Sequence, residues 1–282
     1  MGVERRRAER QVRGDKMNGG LMKRWSIEMA GVLILVAPVL VRASEPQAAT
    51  EVKLFDAIQH GQITVEVAPT SYFLVTMMVR NRTAQPLKVK TPEVFAAVAT
   101  KRLRAWQAAA RRNGPRPEDY ANQYGYARQY DPGGSQSLGG SFYYQNSSPG
   151  EDASARSEPK PLELELKPRG KMRFQVPTFC MEFGLPDPNP RIAYTLVPLE
   201  VVTRSPTIKH VLIEFGKGKH HQAVAQLAMW HVANGTPWER LASVQWPGRI
   251  GRVTLPQLRA ARELAEKSRA AASSESPSSQ DN

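Results

Sequence analysis

The hydrophobic period of this chain changes once, near Ser205, and that change limits the folds open to it. Before it, apolar residues alternate with polar ones, as half-buried strands require; after it, they recur at three- and four-residue intervals, as helices require. Ile63, Val65 and Val67 fall on one face, followed by Phe73, Val75, Met77 and Val79. Turn residues separate these runs at Ala68-Pro69-Thr70 and across 81–86. A second group follows, with Leu162, Leu164 and Leu166 alternating against Glu163 and Glu165. "KPRG" at 167–170 then predicts a hairpin into Met172, Phe174 and Val176. Pro177 cannot donate to a ladder and predicts a strand end or edge. "AYTLVPLEVV" reads as one further strand. Strands first and helices last predicts an α+β fold.

The helical half carries its own punctuation. Ser205 is placed to cap a helix with Pro206 at its first position. Ile208, Val211, Leu212 and Phe215 form the apolar stripe, and Gly216 ends it. A second helix is predicted over 219–234, closed by Gly235. Thr236, Pro237 and Glu239 read as a capping box for a short helix reaching about Val244. A last helix is expected over 256–271. The predicted organisation is thus a β-sandwich over 51–200, a helical region over 205–271 packed on it, and a disordered tail over 272–282.

The N-terminus bears on compartment. Lys23 and Arg24 precede an apolar run from Met29 to Val41, and "VRAS" offers Ala43 before a cleavage point. The run is about 13 residues, short of the roughly 20 that a membrane-spanning helix needs. Residues 1–43 are therefore expected to be a signal peptide, with Met17 or Met22 as alternative starts, and the mature chain to be extracytoplasmic without a membrane span. Residues 1–43 hold nine Arg/Lys and four Asp/Glu, so the formal charge of +13 becomes +8 after cleavage. A basic exported chain favours anionic envelope polymers as partners, and export argues against nucleic acid.

Between the strand groups, residues 107–160 lack aliphatic density and predict a long flexible insertion. Tyr120, Tyr124, Tyr126, Tyr130, Tyr143 and Tyr144 interleave there with Arg111, Arg112, Arg116 and Arg128. That mixture suits sugars or polyanions by stacking and ion pairing.

The chain has one cysteine, Cys180, so no internal disulfide can form. An unpaired cysteine in an exported protein invites a chemical explanation or burial. On the helix "HHQAVAQLAMWHVANG", Gln222, Gln226 and Trp230 are spaced by four and share one face.

Two resemblances accompany these residues. "VTMMVRNRTAQPLKVKTPE" resembles the central hairpin of immunoglobulin-like sandwiches, which implies an antiparallel sandwich over about 62–92 and no particular chemistry. "AQLAMWHVANG", with Phe179-Cys180 upstream, resembles the glutamine-helix motif of thioester domains in bacterial surface adhesins. It departs from that pattern at Ala225, Met181 and Asn234. The resemblance implies a bond between Cys180 and Gln226, with Trp230 shielding it from water. Holding thiol and carboxamide together makes the reaction intramolecular, worth an effective concentration of about 10⁵ M or more. The acyl carbon would then pass to a surface amine or hydroxyl, which is attachment without turnover and not enzymatic catalysis. Closing the loop from 180 to 226 would add about 4 kcal/mol on the chain-entropy model of cross-links. The alternative is a non-catalytic envelope module of sandwich type, with Gln226 facing solvent and Trp230 anchoring the core.

Other chemistries have less support. His220, His221 and His231 lack ligand spacing, "HExxH" is absent, and no metal or cofactor is expected. Cys180 with His210 or His231 as a triad needs proximity that sequence does not supply. "GKGK" at 216–219 lacks the glycine spacing of a phosphate loop. Glu182 and Asp187 read as loop solubilisers.

Overall fold

An alternating strand needs an apolar layer to face, and here the sheet provides that layer by closing on itself. The computed structural model describes residues 48–71, 73–111, 135–143, 160–246 and 251–275, so the predicted signal peptide lies outside the described residues. In chain order the first elements are β1 (Thr50–Lys53), α1 (Leu54–Gln59), β2 (Ile63–Ser71), β3 (Leu74–Asn81), β4 (Leu87–Lys90), β5 (Val94–Ala99) and α2 (Thr100–Ala110). They continue as β6 (Leu138–Ser141), β7 (Glu163–Leu166), β8 (Lys171–Cys180) and β9 (Tyr194–Val197). Helices α3 (Pro206–Gly216), α4 (Gln222–Asn234), α5 (Trp238–Ala242) and α6 (Leu255–Glu275) complete the fold.

Six strands form a closed antiparallel barrel in the order β2-β3-β8-β6-β5-β9, shut where Val67 meets Tyr194. A separate three-stranded sheet, β1-β4-β7, is mixed: β1 runs parallel to β4, and β7 antiparallel to it. The expected immunoglobulin-like sandwich is therefore incorrect. Alternation reveals that one face of each strand is buried, but a second sheet and a closed barrel satisfy it equally. The hairpin expected at 167–170 also fails, because β7 pairs with β4 while β8 pairs with β3. The chain changes sheets at that turn.

The expected disordered insertion is corrected as well. Within 107–160, β6 is buried throughout and lies between β8 and β5. Its Gly-rich "LGGS" reads as loop, yet Gly140 passes under the Phe95 ring so closely that a Cβ would overlap it. Tyr143 follows β6 and donates to Glu93 Oε1 at 2.5 Å, a bond that holds the Glu93 carboxyl below the usual range. Residues 112–134 and 144–159, with the remaining Tyr-rich run, lie outside the described residues.

Strand β8 runs through Pro177 because it changes partners there. Leu74 opposite Pro177 ends the pairing with β3, and Thr178 opposite Gly140 begins the pairing with β6. Phe179 points outward against Phe215 of α3, with ring centroids 4.4 Å apart. Alternation then turns Cys180 inward, on the same face as its register partner Leu138. Helix α3 begins as expected, with Ser205 Oγ accepting from Ile208 N.

Candidate functional site

Beyond Pro177, one edge of β8 has lost its strand neighbour. Thr178 N still donates to Phe73 O at 2.9 Å, just ahead of β3. Past that point helix α4 takes over the edge with side chains. Gln222 Nε2 donates to Phe73 O at 2.6 Å and to Thr178 O at 3.4 Å. Gln226 Oε1 accepts from Cys180 N at 2.9 Å while its Nε2 donates to Cys180 O at 2.7 Å. Further on, Asn234 Oδ1 accepts from Phe183 N at 2.7 Å.

The register has a simple origin. Four residues of helix rise about 6 Å and two residues of strand about 6.8 Å, so a four-residue repeat on α4 keeps pace with alternate residues of β8. Gln222, Gln226, Trp230 and Asn234 form one stripe that runs along the segment from Thr178 to Phe183. The amide of Gln226 presents to Cys180 the donor and acceptor that a neighbouring strand would have supplied. This fully explains a glutamine that is 0% exposed. The expectation that Gln226 faces solvent is thereby corrected: a buried carboxamide must be paired, and Cys180 pairs both of its ends.

The structure seats Gln226 on the backbone of Cys180 and places Trp230 one turn further along α4, against Phe183. Trp230 stands edge-on to Phe183 at 5.0 Å and stacks on Trp246 at 5.5 Å, while Phe73 lies 5.5 Å from Trp246. Four aromatic rings thus flank the segment held by α4. The indole N–H groups of Trp230 and Trp246 are buried without a hydrogen-bond partner among the described residues.

On the barrel side, a polar network closes the mouth near Cys180. Arg102 Nη1 lies 2.8 Å from Glu182 Oε1, and Ser137 N donates to Glu182 Oε2 at 2.5 Å. Tyr194 donates to Ser135 Oγ at 2.7 Å, and Ser135 Oγ donates to Asp187 O at 2.8 Å. Glu182 is therefore an anchored structural anion and not a loop solubiliser. Burial pushes the Cys180 thiol well above the usual range, and the nearby Asp187 and Glu182 carboxylates add to this. Burial likewise pushes Tyr194 up to about 12. At neutral pH both are uncharged.

The histidines serve locally. His221 caps α4, its Nδ1 accepting from Ala223 N at 3.2 Å. His231 Nδ1 donates to Thr236 O at 3.0 Å and stacks on Trp238 at 4.1 Å. Among the described residues, no three His, Cys, Asp or Glu side chains group to hold a metal ion. Asn234, Arg102, Glu182 and Tyr194 were missed as members of the site by sequence reasoning. The four-residue spacing from Trp230 to Asn234 was the signal available for the first; nothing local marks the other three.

Comparison with known proteins gives no match: no family model fits the chain, and no curated protein or solved structure matches it.

Proposed function

We propose that the protein is an exported envelope protein whose Cys180 and Gln226 condense into an internal thioester, which then bonds covalently to a surface amine or hydroxyl. The observation that carries this reading is the seating of the Gln226 carboxamide on the Cys180 backbone. Attack of Sγ on Cδ replaces the Cδ–Nε2 bond, and the thiol proton leaves with the nitrogen as ammonia. The Cys180 N–H already donates to Oε1, the atom on which negative charge develops during attack. A target amine reverses the sulfur's role: it takes the acyl carbon, and Cys180 regains its proton. Burial protects such a bond from water, and it also makes the thiolate scarce, so formation is slow and quickens as pH rises.

A second reading has its own support. Both ends of the Gln226 amide are satisfied by hydrogen bonds and the thiol is neutral, which is what a purely structural clamp in a non-catalytic envelope module would need.

One measurement separates the two: the intact mass of the full chain against a Cys180→Ala variant, with thiol titration after unfolding. The thioester reading expects the wild type to be lighter than its sequence by one ammonia, to lack a titratable thiol and to gain methylamine. Full amide mass with one thiol per chain leaves the clamp.

A further inference from the structure

Six cations crowd the end of the barrel farthest from Cys180. Arg80 of β3 stands directly opposite Lys171 of β8, and Arg173 follows on the same outer face. The turn into β8 adds Lys167 and Arg169, and Arg82 follows β3. All six are exposed. Among the described residues none of them forms an ion pair. The carboxylates nearest to them are Glu66, which faces Met78 one strand beyond Arg173, and Glu165, two residues before Lys167.

Three of these positions give up stability. Like charges directly opposite across a strand pair repel. Arg169 has φ 53°, in the left-handed region that glycine or asparagine enters more easily. Its guanidinium donates to the Arg82 carbonyl, which keeps the two residues side by side. Cations retained at a structural cost on one corner point to a partner that repays them.

The partner's chemistry follows from the layout. Charges about 5 Å apart across strands and about 7 Å apart along them suit a chain bearing acidic groups at short intervals. The one exposed large apolar side chain among the described residues, Leu255, lies at the start of α6 and not on this corner. An amphipathic interfacial membrane contact would add apolar side chains that insert there. We propose that Arg80, Arg82, Lys167, Arg169, Lys171 and Arg173 form the docking surface for an anionic polymer carrying carboxylate, sulfate or phosphate groups. The proposal stands whether or not the Cys180–Gln226 bond forms.

The test is retention of the full chain on immobilised heparin, used as the polyanion probe, across a salt gradient. A triple variant, Arg80→Thr, Lys171→Thr and Arg173→Thr, is compared with Lys101→Thr, Arg259→Thr and Arg269→Thr, which removes equal charge elsewhere on the exposed surface. The corner triple should lose an order of magnitude or more in affinity with Tm unchanged or raised, while the control changes little. Arg169→Gly should also weaken retention while raising Tm. Equal losses in both triples would overturn the proposal in favour of overall charge. Binding to anionic phospholipid vesicles without binding to heparin would overturn it in favour of a membrane.

Discussion

The two ends of β8 treat polar groups in opposite ways. At Cys180 the strand edge is desolvated, and α4 supplies amides to its backbone groups. At Lys171, nine residues away along the strand, cations stand opposite one another in water. Burial leaves few acceptable residues, because an unpaired backbone group there costs about 1–3 kcal/mol. Exposure is permissive, because water screens like charges and the cost is small. The closed end therefore admits few side chains, and the open end leaves composition free to vary.

The largest expected effect breaks the closed end. Gln226→Leu leaves both the N–H and the C=O of Cys180 buried without partners and should cost about 2–5 kcal/mol in urea unfolding. A loss under about 1 kcal/mol would mean that water reaches the edge and that the contrast between the ends is false. Gln222→Ala, one turn earlier and only partly buried, should cost about 1 kcal/mol.

A pH series sharpens the comparison further. The folded Cys180 pKa lies above its unfolded value of about 8.5, so its contribution is full below that pH and is lost as pH rises beyond it. Tyr194 behaves alike from an unfolded value of about 10 up to about 12 in the fold. In thiol form the Tm should therefore begin to sag above about pH 8.5, whereas a thioester or Cys180→Ala should hold to about pH 10. An identical sag in wild type and Cys180→Ala would remove the buried thiol from the account.

The smallest effect concerns the open end. Lys171→Thr relieves the repulsion from Arg80 and should leave Tm unchanged or slightly raised in calorimetry. A clear fall would show that this end is structurally tied after all.

Legibility follows the range of the interaction. Helix α3 was readable because Ser205 and Pro206 act on their own neighbours. The start of α6 carried a similar signal that went unread: Thr254 Oγ1 accepts from Gln257 N, and Gln257 Oε1 accepts from Thr254 N, a reciprocal cap. The expected cap of α5 was wrong by one residue. Pro237 takes that place, while the Thr236 hydroxyl is buried without a partner and its carbonyl is taken by His231. The closure of the barrel through β6 was not legible, because the reason for Gly140 is the ring of Phe95, 45 residues earlier.

By itself the sequence determined the change of period near Ser205, the inward faces of β2, β3 and β8, and the stripe of Gln222, Gln226 and Trp230 on α4. These are local matters, set by side chains a few residues apart. Only the tertiary structure decided what the stripe faces. The edge of β8 is open to α4 because β3 begins at Leu74, and the contact is made by elements far apart in the chain. Short-range periodicity can orient a helix face, but the vacancy that it fills depends on where distant strands begin and end.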